Sequence, residues 1–99
     1  MSELYVARHP AAAWRRLEDE VIVMAAQESW LFTLNEVAAE IWEAADGRTP
    51  LASIVRDRIC EKFEVDFEQA YRDAEELLRA LAERGIVLLS ETPLEAGTP

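Results

Sequence analysis

The sequence has few of the residues on which catalysis and metal binding depend: one cysteine, one histidine and three glycines in 99 residues. Cys60 has no second cysteine for a disulfide, and a single thiol with a single histidine is a poor ligand set for a metal. We interpret Cys60 as a half-buried helix residue and His9 as a solvated side chain. Gly47, Gly85 and Gly97 fit helix ends or a tail rather than a phosphate-binding loop. The sequence therefore predicts no catalytic residue, no metal site and no cofactor, and we interpret the chain as a protein that is not an enzyme.

Long apolar runs and basic residues are also scarce. No stretch reaches the roughly 18 apolar residues that a membrane helix needs, and the chain does not start with a basic region followed by an apolar run. Ten basic residues against twenty acidic ones give a net charge of −10. Such a surface repels DNA phosphates and anionic lipid. The sequence thus predicts a cytoplasmic protein whose partners are neutral or basic, and neither nucleic acid nor membrane.

The length is that of one domain with two short extensions. Residues 1–13 lack sustained periodicity and are predicted to be a flexible arm, and residues 91–99 are predicted to be a flexible tail. The domain is expected to span residues 14–90.

The first part of the predicted domain has the pattern of β-strands. Residues 21–24 form a short β-branched apolar run, and the next apolar residues alternate between two faces. One face carries Trp30, Phe32 and Leu34, and the other carries Ser29, Leu31 and Thr33. We predict a meander of three antiparallel strands, at about residues 14–18, 20–26 and 28–34.

From Asn35 onward the pattern becomes helical. Asn35 is expected to cap a first helix that has Ile41 and Trp42 on its buried face and ends at Asp46-Gly47. A second helix is expected from Thr49, with Pro50 at its first position, and a third from Asp66 to Arg84. Residues 86–89 suit a short closing strand. The predicted fold is α+β: a winged helix-turn-helix with a three-stranded antiparallel sheet followed by three helices.

The third predicted strand has an edge that nothing in the sequence protects. Between Ser29 and Leu34 it contains no proline and no charge, which are the usual means of preventing edge-to-edge pairing. An added peptide strand is one way to cover such an edge. The alternative is that Trp30 and Phe32 have a structural role and belong to the core.

A combination of short segments resembles the PqqD-like family, named for the pyrroloquinoline quinone biosynthesis protein D. The segments are Leu34-Asn35-Glu36-Val37-Ala38, Ile41-Trp42, Asp46-Gly47-Arg48-Thr49, Ile54, Asp73, Leu77 through Leu81, and Arg84-Gly85-Ile86. The resemblance covers about residues 14–90. The Ile41-Trp42 pair also resembles the version of the domain found in lasso-peptide pathways.

The resemblance implies that the chain recognises the leader of a ribosomally made precursor peptide. Members of the family present the precursor to a modifying enzyme, such as a radical-SAM enzyme or a leader peptidase. The leader lies as an extra strand on the third strand, in a groove completed by the third helix. The peptide-binding residues expected on that basis are Ser29, Trp30, Leu31, Phe32, Thr33 and Leu34 on the strand, and Ala70, Asp73 and Leu77 on the helix.

The choice of helix face leaves alternatives open. Ala70, Asp73 and Leu77 form one flank of the third helix, and Tyr71, Leu78 and Ala82 form the other. We favour the first flank because Ala70 is small enough to admit a peptide backbone and Asp73 can pair with a basic residue. Asp73 is equally well explained as a solvated carboxylate or as the acceptor of a bond from a nearby backbone group.

Two other classes of function compete with peptide binding. The first is a structural subunit or interaction module that binds a folded protein. The second is a DNA-associated regulator whose third helix would enter the major groove. Residues 64–84 contain seven acidic residues and three arginines, a net charge of −4, which is the wrong sign for a recognition helix.

The charge gives a first prediction: the protein folds alone and does not bind duplex DNA. A gel-shift assay at low salt is the strictest test, because phosphate attraction is strongest there. We expect no shift at micromolar protein. Binding at micromolar or lower concentration would contradict the electrostatic argument.

Overall fold

A computed structural model describes residues 3–25 and 31–94. The chain is α+β, with antiparallel sheets and three helices. The strands are β1 (Tyr5–Arg8), β2 (Ala13–Leu17), β3 (Glu20–Met24), β4 (Leu31–Leu34), β5 (Asp46–Pro50) and β6 (Val87–Ser90). The helices are α1 (Glu36–Ala44), α2 (Leu51–Ile54, continued by Val55–Cys60 and Glu61–Phe63) and α3 (Phe67–Glu83).

The strands form two sheets rather than one. The first has the order β2-β3-β4 and is the predicted meander, with Trp14 opposite Val23 and Val23 opposite Phe32. The second has the order β5-β1-β6 and is also antiparallel. The predicted layout of a single three-stranded sheet followed by three helices is therefore wrong, because β5 lies between α1 and α2 and β1 precedes the meander.

The first sheet is apolar toward the core and mixed on its outer face. Val21, Val23 and Leu34 are buried, whereas Met24 and Leu31, which pair across β3 and β4, are exposed. This is the alternation expected when one face of a sheet packs on helices and the other meets water.

The helix caps predicted at Asn35 and Asp66 are present in the structure. The Asn35 side chain accepts a hydrogen bond from the amide of Ala38 at 2.9 Å, and Asp66 accepts one from the amide of Gln69 at 3.1 Å. At the end of α3, Gly85 has a φ of +74°. The amide of Ile86 donates to the carbonyl of Leu81 at 3.0 Å, which satisfies a terminal carbonyl of the helix.

The start of α2 differs from the prediction. Thr49 and Pro50 belong to β5, and α2 starts at Leu51 without a side-chain cap. The Asp46 carboxylate instead accepts hydrogen bonds from the amides of Arg48 and Thr49, at 2.8 and 2.9 Å. The residues after Asp46 thus form a turn into a strand rather than a helix cap. The middle of α2, Val55–Cys60, has the wider hydrogen bonding of a π-helix.

The prediction of a flexible arm over residues 1–13 is wrong for Tyr5–Arg8. This segment is the central strand of the second sheet, and Val6 and Ala7 are fully buried. A run of four residues was too short to show the alternation of a strand. The predicted tail, residues 91–99, lies outside the described residues from residue 95 onward, and the amide of Leu94 donates to the carbonyl of Gly47.

The core surrounds α1. Ile41 and Trp42 are each 1% exposed, as their helical spacing predicts. The Trp42 ring meets that of Trp14 edge-on, with centroids 5.9 Å apart. Residues from both sheets and all three helices belong to the same apolar cluster, including Val6, Val23, Ile54 and Leu78.

Trp42→Ala is predicted to lower the free energy of unfolding by about 3–5 kcal/mol, because it leaves a large cavity in a small core. Trp14→Ala is the control, since Trp14 is 43% exposed and its loss should cost clearly less. Urea unfolding measures both. An unchanged midpoint for Trp42→Ala would show that α1 does not pack as described.

Candidate functional site

An open groove of about 470 Å³ runs between α1, the end of α2 and the first half of α3. Its volume lies within the range of pockets that hold small ligands or short peptide segments. The residues that line it are Asn35, Val37, Ala38, Ile41, Ile59, Phe63, Val65, Asp66, Gln69, Ala70, Asp73, Ala74 and Leu77. Most of these side chains are apolar.

Short side chains keep this groove open. Ala38 on α1 and Ala70 and Ala74 on α3 line its walls, where longer residues would fill the space between the helices. The floor contains Ile41 and Ile59, which are 1% and 3% exposed and belong to the core. The groove is therefore continuous with the core, and an apolar side chain placed in it gains the free energy of leaving water.

The polar residues of the groove are acidic or amide, and none of those lining it is basic. The exposed Asp73 carboxylate accepts a hydrogen bond from the Gln69 side chain at 2.9 Å. Asp66 caps α3 through its carboxylate. With two carboxylates and no cation, the groove favours a ligand that combines apolar side chains with a positive charge.

A cluster of charged side chains connects α1 and α2. The Glu40 carboxylate on α1 accepts a hydrogen bond from Lys62 Nζ at 2.7 Å and lies 3.4 Å from Arg58 Nη1. The Lys62 hydrogen bond lowers the pKa of Glu40, although the partial burial of the carboxylate opposes this. The ion pair thus joins α1 to α2 at positions next in sequence to two groove residues, Ile41 and Phe63.

Strand β4 is an edge of its sheet. Within the described residues, β4 pairs only with β3. The Leu77 side chain faces the groove at mid-helix, and past the end of α3 the Arg84 guanidinium lies over the Phe32 ring, 5.8 Å from its centroid. Asn35, which follows β4 directly, lines the groove, so the C-terminal end of β4 lies beside it. Among the described residues, neither β4 nor the other uncharged edge strand, β6, contributes a lining residue, but only β4 is followed directly by one.

The structure brings some of the predicted site residues together and not others. Ala70, Asp73 and Leu77 line one groove, whereas Leu78 on the alternative flank is 2% exposed in the core. On β4, Leu31 and Thr33 are exposed, Phe32 is half-buried and the Leu34 side chain is buried. Leu34 can therefore offer only its backbone. Ser29 and Trp30 lie outside the described residues.

Sequence reasoning missed the other half of the groove. It contains Phe63 from α2, Val65 from the connection to α3, and Val37 from α1, none of which was predicted as a site residue. Val65 is 45% exposed and Val37 36% exposed. A large apolar residue between two helix signals, such as Val65 before the Asp66 cap, was the available indication.

Neither a metal site nor a membrane-spanning helix is found in the described part of the chain. Within residues 3–25 and 31–94, no group of three or more acidic, histidine or cysteine side chains is arranged to hold a metal. In the same part of the chain, no helix has the length and apolar character needed to cross a membrane.

Comparison with known proteins gives two matches. The sequence model of the family described as coenzyme PQQ synthesis protein D (PqqD) matches residues 20–87, which include every residue of the groove. Among solved structures, the chain is similar to TbiB1 in complex with the TbiA(beta) leader peptide. The TM-score is 0.73 and the identity 30%, over 82% of this chain and 93% of that one. No curated protein sequence matches the chain.

The Glu40 cluster gives a prediction about pH. Glu40→Gln should lower the free energy of unfolding at pH 7 by about 1–2 kcal/mol, because a charge-assisted bond is lost and its partners are half exposed. Since folding lowers the pKa of Glu40, its contribution is present above the ordinary glutamate value and is lost as the pH falls through the folded value. The difference between wild type and variant should thus shrink below about pH 4.5.

The control is Glu76→Gln, which removes an exposed carboxylate of α3. Urea unfolding at several pH values measures both variants. A Glu40→Gln difference that does not depend on pH would show that the carboxylate is not bound as described.

Proposed function

Because the chain belongs to the PqqD family, we propose that it is a non-catalytic protein that binds the leader of a ribosomally synthesised precursor peptide. The observation that carries the proposal is a groove with apolar walls and two carboxylates at the end of β4, an uncharged strand whose outer edge has no partner strand among the described residues. The similar structure of TbiB1 contains a leader peptide, which supports the same class of ligand here.

We expect the leader to bind by strand addition on β4. The free backbone groups of an edge strand offer a ladder of hydrogen bonds to any peptide, and these bonds set its register without reading its sequence. The segment Leu31–Leu34 carries no proline and no charge that would oppose pairing. The neighbouring residues Ser29 and Trp30 belong to the same proposed site.

Selectivity then comes from the groove. Alternate side chains of the added strand point toward α3, where Ala70 and Leu77 form an apolar wall. One or two apolar leader residues are expected to fill the space left by the alanines. Asp73 adds a preference for a basic leader residue, with the Gln69 side chain holding the carboxylate in place.

The consequence for the pathway is presentation of the precursor to a modifying enzyme, a radical-SAM enzyme or a leader peptidase. A strand of about six residues buries an area at or below the lower end of specific interfaces, so we expect micromolar to high-nanomolar affinity. Such a complex forms and dissociates readily, which suits a carrier that must release its cargo.

Leu31→Pro and Thr33→Pro are predicted to weaken leader binding, because proline removes a backbone donor and fits badly in a paired strand. The two residues are two apart and point the same way, so the variants should act alike. Isothermal titration of folded variants with the leader encoded by a neighbouring precursor gene measures the effect.

The matched control is Leu88→Pro, which places the same residue on β6, the other uncharged edge. This change should leave leader affinity unchanged. If Leu88→Pro lowered leader affinity and the two β4 variants did not, the leader would bind the edge of the second sheet, which would contradict the proposal.

Asp73→Ala is predicted to weaken leader binding by about 1 kcal/mol, roughly fivefold, since an ion pair at this exposed position stays partly solvated. Glu76→Ala is the control, because Glu76 is an exposed carboxylate of the same helix that does not line the groove. Equal effects of the two changes would mean that only net charge matters and that Asp73 makes no specific contact.

A further inference from the structure

A second cavity, of about 420 Å³, lies at the opposite edge of the first sheet. It is lined by Arg8, His9, Pro10, Ala12, Trp14, Asp46 and Arg48, and we refer to it as the basic cleft. Five of these residues precede residue 20, where the match to the family model begins. The cleft therefore depends on a part of the chain that the leader groove does not use.

The arginine at the back of the cleft is held rigidly. Nη1 of Arg8 donates to the carbonyls of Trp42 and Glu43, at 3.0 and 2.9 Å, and so satisfies the end of α1. The guanidinium also lies over the Trp14 ring, 5.5 Å from its centroid. Of the five N–H groups of a guanidinium, only those on Nη1 have acceptors among the described residues. Donors on the remaining nitrogens are left for a ligand.

A tight turn presents His9 as a second donor. The amide of Ala12 donates to the carbonyl of His9 at 3.0 Å, with Pro10 at the second position of the turn, where its fixed φ is favourable. Nδ1 of His9 accepts a hydrogen bond from the amide of Ala11 at 3.1 Å. The neutral ring must then carry its proton on Nε2, which is free to donate.

Arg48 supplies a third donor group. Its side chain is exposed, and no ion pair involves it within residues 3–25 and 31–94. The one carboxylate of the cleft, Asp46, already accepts bonds from the amides of Arg48 and Thr49 and from the Thr49 hydroxyl. The half-exposed indole of Trp14 adds an apolar wall. In a chain of net charge −10, this is a locally cationic site with several donors.

We propose that the basic cleft binds an acidic segment of the modifying enzyme, with a carboxylate on Arg48 and His9 and an adjoining apolar side chain on Trp14. The proposal rests on the proposed function, which supplies the enzyme. Charge decides the ligand class, because guanidinium and imidazole N–H groups favour a carboxylate. A leader added outside β4 would lie three strand spacings, about 14 Å, from β2 and would leave the cleft open.

A second copy of this chain is a poorer occupant. Two chains of net charge −10 repel each other, and an acidic helix of one copy in the cleft of the next would build an open filament rather than a closed dimer. A cleft lined by seven residues also offers far less than the roughly 800 Å² per partner of a standard interface.

The first experiment uses acetyl-Glu-Leu-Glu-Glu-amide as the probe and its glutamine counterpart as the control peptide, titrated into the full chain with amide shifts read by NMR. We expect amide shifts at residues 9–14 and 46–48, and we expect the probe to bind more weakly at high salt than at low salt.

Arg48→Gln should weaken probe binding about three- to fivefold. Arg72→Gln, an exposed arginine of α3 that does not line the cleft, should have no effect. Equal binding of the two peptides, or equal effects of the two variants, would overturn the proposal.

The second experiment identifies the source of the acidic segment. Leader-saturated protein should bind the probe unchanged, and displacement of the probe by the leader would assign the cleft to the precursor instead and overturn our assignment. The leader-loaded Arg48→Gln variant should bind the modifying enzyme more weakly than leader-loaded wild type, with the same affinity for the leader. An unchanged enzyme affinity would overturn the proposal. Failure of the proposed function is a separate result: the leader would then bind no edge strand while the probe still titrates the cleft.

Discussion

The burial of α1 is the constraint on which the rest of the structure depends. This helix of nine residues belongs to one apolar cluster with residues of both sheets and both other helices, and its Trp42 is 1% exposed. Its cap, Asn35, follows the end of β4, so the helix start fixes where the edge strand stops. At its other end, the carbonyls of Trp42 and Glu43 hold Arg8 in the basic cleft. Both candidate sites are thus positioned by the same buried helix.

The groove exists because packing around α1 is incomplete on one side. Ala38 on α1 and Ala70 and Ala74 on α3 line the groove, while Trp42, one turn further along α1, packs on Trp14 of the first sheet. Small residues on two facing helices leave space that core side chains do not fill, and the Glu40–Lys62 ion pair joins α1 to α2. The chain therefore keeps apolar surface open to solvent beside a strand with free backbone groups, an arrangement that suits a ligand with its own strand.

The ends of the helices could be predicted from the sequence, whereas the pairing of strands that are far apart in the chain could not. The caps Asn35 and Asp66 and the stop at Gly85 could be predicted because each is a short-range hydrogen-bonding pattern. The second sheet could not, since β1 is four residues long and pairs with segments about 40 and 80 positions away. Helical spacing places Ala70, Asp73 and Leu77 on one face of α3, and all three line the groove, whereas the α2 contribution to the groove depends on tertiary packing. The basic cleft was missed because its residues meet only when β1 and β5 pair.

The central claim is that β4 takes up a peptide strand, and amide hydrogen exchange tests it most directly. Within an edge strand, alternate amides face the sheet and the solvent. In the free protein, one alternate pair among residues 31–34 should exchange rapidly, and leader binding should protect that pair. Protection of alternate β4 amides, with the exchange of β6 unchanged, is the result that the account predicts. A leader that binds tightly while the β4 amides keep exchanging as before would contradict it.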